Sequence, residues 1–205
     1  MFLSQSVTSA PVHSRILVPQ LYHRQPVISR LVSRYGLTVN IKAASLASES
    51  DDDGWFDLDL LGNPQQVTNA LSYLQGLGIK LVQVAIANHI QSNQNSQPFP
   101  HLTNKLTPKE SDQWQEQFQR WMSLGQTNRL RLQVCILKSY YKKPVISKLV
   151  SRYGLTVNII NALLKPDQQN DGWFDLDLWG KTQQLHSSLT YLAKLQLPVW
   201  LNYSS

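Results

Sequence analysis

The sequence has a single cysteine, Cys135, among 205 residues. One cysteine cannot form a disulfide within the chain, and it cannot supply the sets of thiolates that hold zinc or iron–sulfur clusters. The composition therefore suits a reducing cytoplasm, and we expect no cysteine-based metal or cluster site. Cys135 alternates with Val134 and Ile136 along a predicted strand, so we expect an exposed thiol or one at a pairing face.

Long apolar runs are missing as well. None approaches the roughly 18 residues that a membrane-spanning helix needs. The first residues, MFLSQSVTSAPVHSR, lack the basic start and apolar core of a signal peptide. We therefore expect a cytoplasmic protein without a membrane span.

Catalytic constellations are also absent from the sequence. The five histidines are scattered, no Ser/His/Asp or Cys/His arrangement can be built, and no G-x-x-x-x-G-K-[S/T] phosphate loop occurs. We therefore expect a protein that is not an enzyme and that binds no cofactor and no metal.

What the sequence does contain is a duplication. PVISRLVSRYGLTVNI at 26–41 recurs as PVISKLVSRYGLTVNI at 144–159, and DGWFDLDL at 53–60 recurs at 171–178. An offset of 118 residues, from 26 to 144, aligns the two copies to the end of the chain without a gap. A duplication of this kind predicts two copies of one folding unit.

Each copy carries the pattern of strand, helix, strand, strand, helix, strand. In the first copy an apolar stripe at helical spacing follows Pro26 and ends at Gly36, and Asn63-Pro64 begins a second helix. This order predicts an α+β protein with two ferredoxin-like (βαββαβ) domains, at 13–87 and 128–203. Each would place two helices on one face of a four-stranded antiparallel sheet.

The stretch between the copies divides in two. Residues 88–106 are polar and without apolar periodicity, which indicates a linker. Residues 107–125 predict an amphipathic helix whose aromatic stripe includes Trp114, Phe118 and Trp121. This stripe either packs on the two domains or docks another protein.

The segment DGWFDLDL predicts one face of each sheet. Phe56, Leu58 and Leu60 alternate with Trp55, Asp57, Asp59 and Leu61, so the first set should face the helices and the second set the open side. The second copy repeats the open set with Trp173 and Trp179. We interpret the aspartates as solvated acids, because neither copy offers further ligands at metal-binding intervals.

The two repeats together resemble the NIL domain family. The resemblance rests on PVIS-x-LVSRYGLTVNI, an acidic loop, DGWFDLDL-x-G, a QQ pair and a helix ending in YL, in the same order twice. It implies a ferredoxin-like domain related to ACT regulatory domains, found after the ATPase of methionine-type importers. Tandem and free-standing versions look typical of cyanobacteria. This sequence shows neither an ATPase phosphate loop nor a Cys-x-x-Cys cluster motif.

The family resemblance also implies a function. Such domains pair across their sheets and bind the transported amino acid, and the asparagine of the strand motif corresponds to Asn40 and Asn158. We therefore take Asn40, Asn158, Trp55 and Trp173 as candidate ligand-binding residues. The alternative is that both asparagines bond to neighbouring backbone at a strand edge.

The charge distribution points to a partner. The net charge of +6 resides entirely in residues 129–205, which hold ten basic and four acidic residues. We therefore expect an acidic protein as partner. The candidate partner contacts are the aromatic stripe together with Lys138, Lys142, Lys143 and Trp179. We expect no nucleic acid to bind the sheet, because aspartates occupy the strand over which phosphates would pass.

Two functions follow from these observations. The first is a non-catalytic regulatory protein that docks on a protein partner through its aromatic helix, open sheet faces and basic second domain. The alternative is a small-molecule sensor that binds methionine or a related amino acid at paired sheet faces. The two copies could pair within one chain or with another chain.

Overall fold

The computed structural model describes residues 10–47, 52–86, 128–167 and 170–202. The predicted linker and the predicted amphipathic helix, with Trp114, Phe118 and Trp121, lie outside these ranges. The positions predicted for the two repeats are almost entirely described.

Both repeats have the predicted order of elements. The first contains β1 (Val12–Val18), α1 (Val27–Ser33), β2 (Thr38–Leu46), β3 (Gly54–Leu61), α2 (Pro64–Gly76) and β4 (Lys80–Ile86). The second contains β5 (Arg129–Ile136), α3 (Val145–Ser151), β6 (Thr156–Leu164), β7 (Gly172–Trp179), α4 (Thr182–Lys194) and β8 (Val199–Asn202). A single turn of 3₁₀-helix precedes α1 at Gln20–Tyr22 and α3 at Lys138–Tyr140.

Local sequence explains where α2 begins. The side chain of Asn63 accepts a hydrogen bond from the backbone N–H of Gln66, and the Gln66 side chain accepts one from the backbone N–H of Asn63. This reciprocal cap satisfies two of the amides that a helix leaves free at its start, and Pro64 at the first turn has no amide to satisfy. Val67 and Leu74 then face the core.

The eight strands form one antiparallel sheet in the order β4-β1-β3-β2-β6-β7-β5-β8. Each half of that order is a ferredoxin-like sheet, which confirms the predicted α+β fold. The halves join where β2 pairs with β6, through Ala44 opposite Leu164, Ser45 opposite Leu163 and Leu46 opposite Ala162. The two repeats therefore pair edge to edge within one chain.

The core lies on the helix face of this sheet. Phe56, Leu58 and Leu60 of β3 are buried there, and so are their counterparts in β7, as the alternation in DGWFDLDL predicts. Each fully buried side chain of this size stabilises the fold by about 1.5–3 kcal/mol. The helices α1 and α3 pack against each other, and each contacts the edge strand of the opposite repeat, α1 on β6 and α3 on β2.

Candidate functional site

The junction between the repeats is completed by side chains rather than by a continuous strand ladder. The pairing of β2 with β6 spans only the C-terminal ends of the two strands. Nearer the start of β2, the backbone N–H of Val39 donates to Ser147 Oγ in α3, over 3.1 Å. The mirror contact joins the backbone N–H of Val157 to Ser29 Oγ, also over 3.1 Å. Each repeat thus satisfies an edge amide of the other.

The two asparagines singled out by the family resemblance also cross this junction. Asn40 Nδ2 donates to the backbone oxygen of Tyr141, over 2.9 Å. Asn158 Nδ2 donates to the backbone oxygen of His23, over 3.5 Å. Both asparagines are buried, with 7% and 8% of their surface exposed. His23 and Tyr141 hold corresponding positions in the two repeats, so the contacts are related by the internal duplication.

Each asparagine lines a small cleft between the repeats. Cleft 1 includes Tyr22, His23 and Gln25 of the first repeat with Val157, Asn158 and Ile159 of the second. Cleft 2 includes Tyr140, Tyr141 and Lys143 of the second repeat with Val39, Asn40 and Ile41 of the first. In each, the space open to the centre of a water molecule is about 20 Å³. That is room for one small polar group and not for a whole amino acid.

The clefts differ at two positions. Cleft 1 has His23 where cleft 2 has Tyr141, and it has Gln25 where cleft 2 has Lys143. Gln25 Oε1 accepts a hydrogen bond from Arg30, over 3.0 Å. Lys143 Nζ instead lies 4.5 Å from the centre of the Tyr140 ring. Cleft 2 is therefore the more basic of the two.

In cleft 2, the hydroxyl of Tyr141 has a hydrogen-bond partner. It donates to the backbone oxygen of Asn170, in the loop that leads to β7. Burial, helped by the nearby carboxylates of Asp171 and Asp167, raises the pKa of Tyr141 to about 12. The hydroxyl therefore stays protonated and remains a donor at physiological pH.

In cleft 1, only one of the two ring nitrogens of His23 has hydrogen-bond partners among the described residues. His23 Nε2 lies 3.2 Å from the backbone nitrogen of Gly54, which donates to it, and 3.1 Å from the backbone oxygen of Val18. Among the described residues, neither His23 Nδ1 nor Asn158 Oδ1 has a hydrogen-bond partner, although both atoms are buried.

The open face of the sheet carries a different arrangement. Arg15 donates twice to Asp57, over 2.5 and 2.6 Å, and its guanidinium lies 5.2 Å from the centre of the Trp55 ring. Arg129 makes a similar pair with Asp177, at a different position of the repeat, over 2.8 and 2.6 Å, and lies 4.7 Å from the ring centre of Trp179. The hydrogen bonds to these carboxylates raise the pKa of both arginines.

These pairs correct the prediction that the aspartates are solvated. Asp57 and Asp177 are buried, with 5% and 6% of their surface exposed. A buried carboxylate requires a charged or hydrogen-bonding partner, and here an arginine from the neighbouring strand supplies it. The described residues hold no group of three or more His, Cys, Asp or Glu side chains that could bind a metal ion.

The candidate ligand-binding residues therefore occupy two places. Asn40 and Asn158 lie in the clefts, whereas Trp55 and Trp173 lie on the open face. Trp173 stacks on Trp200, with 5.4 Å between ring centres. Of the described residues that line either cleft, none is a tryptophan. A ligand role for these four residues stays a prediction.

The candidate partner contacts in the second repeat lie on its surface. Trp179 is 46% exposed, and Lys138, Lys142 and Lys143 are exposed on the turn between β5 and α3. Lys143 also lines cleft 2. Their role in partner binding likewise stays a prediction.

Four residues at the junction were not identified from the sequence: Ser29, Ser147, His23 and Tyr141. The serines did leave a signal, because each lies within PVIS, the start of a segment that is repeated almost without change. His23 and Tyr141 differ between the copies, so the duplication gives no such signal for them.

Residues 13–82 and 130–200 match the NIL domain, and together these segments make up well over half of the chain. The chain belongs to the NIL domain family. Its two matching segments coincide with the two repeats, which confirms the resemblance found in the sequence.

Two curated relatives of this NIL protein come from cyanobacteria. It is 39% identical over 79 residues to the uncharacterized protein ssr2439 of Synechocystis, a match covering 38% of this chain and 78% of that protein. It is 36% identical over 72 residues to the uncharacterized protein Synpcc7942_1683 of Synechococcus elongatus, covering 35% and 89%. Each relative is similar over about the length of one repeat.

A solved structure also aligns with nearly the whole chain. It is a protein assigned as a glycine cleavage system transcriptional repressor, and the alignment covers 98% of this chain and 99% of that one. The identity is 12% and the TM-score is 0.29, which is too low to support an argument.

Membership of the NIL family supports a regulatory, non-catalytic role. None of the helices in the described ranges is long and apolar enough to cross a membrane.

Proposed function

We propose that this NIL protein is a non-catalytic regulatory protein that binds a small polar molecule in the clefts between its repeats. An amino acid, methionine first, is the candidate ligand. The observation that carries the proposal is the position of Asn40 and Asn158. Each is buried in a cleft lined by both repeats, and each has its amide on the backbone of the opposite repeat.

A ligand in such a cleft contacts both repeats at once. Its binding free energy therefore depends on how the repeats are arranged, and by linkage it changes the stability of that arrangement. Among the described residues, the junction combines three strand-paired positions and a set of side-chain hydrogen bonds with the packing of α1 and α3 on each other and on the opposite repeat. A ligand that binds one arrangement more tightly than another shifts the protein toward the first, and this gives the protein a means of signalling occupancy.

The size of the clefts sets a condition on this function. With about 20 Å³ open to a water centre, neither cleft admits a whole amino acid as it stands. Binding requires the turn before α1 or α3 to move away from the opposite repeat. The contact from Asn158 to the His23 carbonyl is 3.5 Å long, at the limit of a hydrogen bond, and is the weaker of the two asparagine contacts.

The test is thermal unfolding of the purified chain with each of the twenty amino acids, L-methionine first. A ligand that binds the folded state at a hundred times its Kd adds about 2.7 kcal/mol of stability, which raises the Tm by several degrees. The double variant Asn40→Ala/Asn158→Ala should lose this rise. Asn69→Ala, an exposed asparagine on α2, is the matched control and should keep it. A flat response of the folded protein to all twenty contradicts the proposal.

A second candidate function, docking on a protein partner, is favoured by the surface around Trp179. This side chain is 46% exposed beneath the guanidinium of Arg129, where the first repeat has Leu61. Exposed tryptophan and arginine often dominate binding energy at interfaces. The exposed Lys138, Lys142 and Lys143 favour an acidic partner.

This second function is tested by cross-linking in a cyanobacterial extract with mass spectrometry. Trp179→Leu, which copies the first repeat, and reversal of the three lysine charges should each abolish a specific cross-linked partner. Lys194→Glu, an exposed charge on α4, should not. A partner lost instead on substitution of Trp114, Phe118 and Trp121 assigns docking to the predicted helix. A partner unaffected by every one of these substitutions rules out docking through the proposed surfaces.

A further inference from the structure

The two clefts are built from corresponding positions but are not chemically equivalent. In cleft 1, two buried side-chain atoms, His23 Nδ1 and Asn158 Oδ1, have no hydrogen-bond partner among the described residues. His23 is 4% exposed and Asn158 is 8% exposed, so bulk water does not solvate them freely. Buried polar atoms are nearly always satisfied in folded proteins, and two exceptions in one cleft indicate that something else bonds to them.

The difference between His23 and Tyr141, which hold corresponding positions, explains why His23 Nδ1 has no partner among the described residues. In cleft 2 the long phenol of Tyr141 reaches the backbone oxygen of Asn170 and is satisfied there. The shorter imidazole of His23 reaches only the end of the β1–β3 pairing, where its Nε2 lies near Gly54 and Val18. Whichever ring nitrogen carries the proton, Nε2 faces these backbone groups, and Nδ1 has no hydrogen-bond partner among the described residues.

The polar side chains of cleft 2 are better hydrogen-bonded than those of cleft 1. Asn40 Nδ2 bonds to the Tyr141 carbonyl at 2.9 Å, compared with 3.5 Å for the matching contact in cleft 1. Of the described residues lining cleft 2, none has a buried side-chain polar atom without a partner. A polar ligand entering cleft 2 would have to break existing hydrogen bonds, whereas one entering cleft 1 would complete missing ones.

We infer that cleft 1 alone is the ligand site, with one molecule bound per chain, and that the ligand presents an N–H donor to Asn158 Oδ1. This inference rests on the proposed small-molecule function. The amide oxygen of Asn158 can only accept, so it selects a hydrogen-bond donor, and the donor that every amino acid carries is its ammonium group. His23 Nδ1 is adaptable, because the choice of tautomer lets it accept from the ligand or donate to it. The space in the cleft fits a group the size of an ammonium.

The experiment is isothermal titration of the full chain with L-methionine, followed by the other nineteen amino acids. We expect one molecule per chain. Asn158→Ala should weaken binding about tenfold or more, and by a clearly larger factor than Asn40→Ala, the same change in cleft 2; the exposed Asn69→Ala should leave the Kd within about twofold. The deaminated analogue 4-(methylthio)butanoate, which lacks the N–H donor, should bind about tenfold more weakly than L-methionine.

Reciprocal substitutions guard against a variant that fails to fold. His23→Tyr gives cleft 1 the residue already present in cleft 2, and Tyr141→His does the reverse. Binding should be lost in the first variant, and a second equivalent should appear in the second variant. Circular dichroism melts check that both variants are folded.

The outcomes separate the two proposals. Two equivalents in the unchanged protein, or equal losses from Asn40→Ala and Asn158→Ala, overturn the assignment to cleft 1 and leave the small-molecule function standing. No binding by any of the twenty amino acids, with the protein folded, overturns both.

Discussion

The hydroxyl of Ser147 accepts a hydrogen bond from the backbone N–H of Val39, 108 residues earlier in the chain, over 3.1 Å. Ser29 does the same for Val157. Without such bonds, the edge of a strand exposes unpaired backbone N–H and C=O groups, which can pair with a strand of another chain. The two serines close that edge where the β2–β6 ladder stops, and they link each first helix to the opposite repeat.

Removing these hydroxyls should destabilise the protein. Ser29→Ala or Ser147→Ala leaves a buried edge amide without an acceptor, so each should lower the free energy of unfolding by about 1–3 kcal/mol in urea denaturation. Ser33→Ala and Ser151→Ala make the same chemical change at exposed positions of α1 and α3 and should have little effect. Equal effects at buried and exposed positions would contradict the bonding described for the junction.

His13 gives the first repeat a pH-dependent contribution. Its hydrogen bond to Asp59, 3.1 Å long, raises the His13 pKa above its ordinary value of 6.5, against the opposing effects of burial and Lys42. A raised folded-state pKa stabilises the fold fully below pH 6.5, and that stability is lost as the pH rises through the higher value. The unfolding free energy of the unchanged protein, minus that of His13→Gln, should therefore fall as the pH rises from 6 to 8.5. A constant difference would show that folding does not raise the His13 pKa.

Cys135 should be unreactive in the folded protein. It is buried opposite Trp173 in the strand register, so the first of the two expectations, an exposed thiol, is wrong. Burial, with Asp171 nearby, raises the pKa of the Cys135 thiol to about 12. Since the thiolate is the reactive form, roughly one thiol in ten thousand is reactive at pH 8. A disulfide reagent such as DTNB should label one equivalent quickly in urea and only slowly without it, and rapid labelling of the native protein would contradict this burial.

Two glycines at the end of α2 should respond oppositely to alanine. Gly76 is helical with nothing within 4 Å of an added Cβ, so Gly76→Ala should stabilise the protein by about 0.5–1 kcal/mol. Gly78 has φ +74°, a left-handed conformation that alanine resists, so Gly78→Ala should cost about 1–2 kcal/mol. Urea denaturation of the two variants side by side measures this, and shifts in the same direction would be inconsistent with the helix end described.

Local patterns were sufficient to predict each repeat. The order of elements, the helix start at Asn63-Pro64 and the inward direction of Phe56, Leu58 and Leu60 all follow from periodicity and capping, which depend on neighbours in the sequence. The structure confirms each of them.

The site depends on contacts that the sequence does not reveal. The register places Asn40 opposite Asp59, a residue of the open face. Its amide nevertheless bonds to Tyr141, 101 residues away, because the edge of β2 faces a turn of the other repeat. The aspartates were misjudged for a similar reason. Arg15 and Arg129, which neutralise Asp57 and Asp177, come from strands separated from them by more than 40 residues.

Joining the two repeats in one chain has a consequence for how they can change. In a homodimer of single repeats, every mutation appears twice, so the two clefts must remain identical, and pairing weakens on dilution. In a duplicated chain the partners cannot separate by dilution, and each copy mutates alone. His23 and Tyr141 occupy the same position in the two copies and yet differ. Duplication has thus allowed one half of the pair to change its chemistry while the other keeps its own.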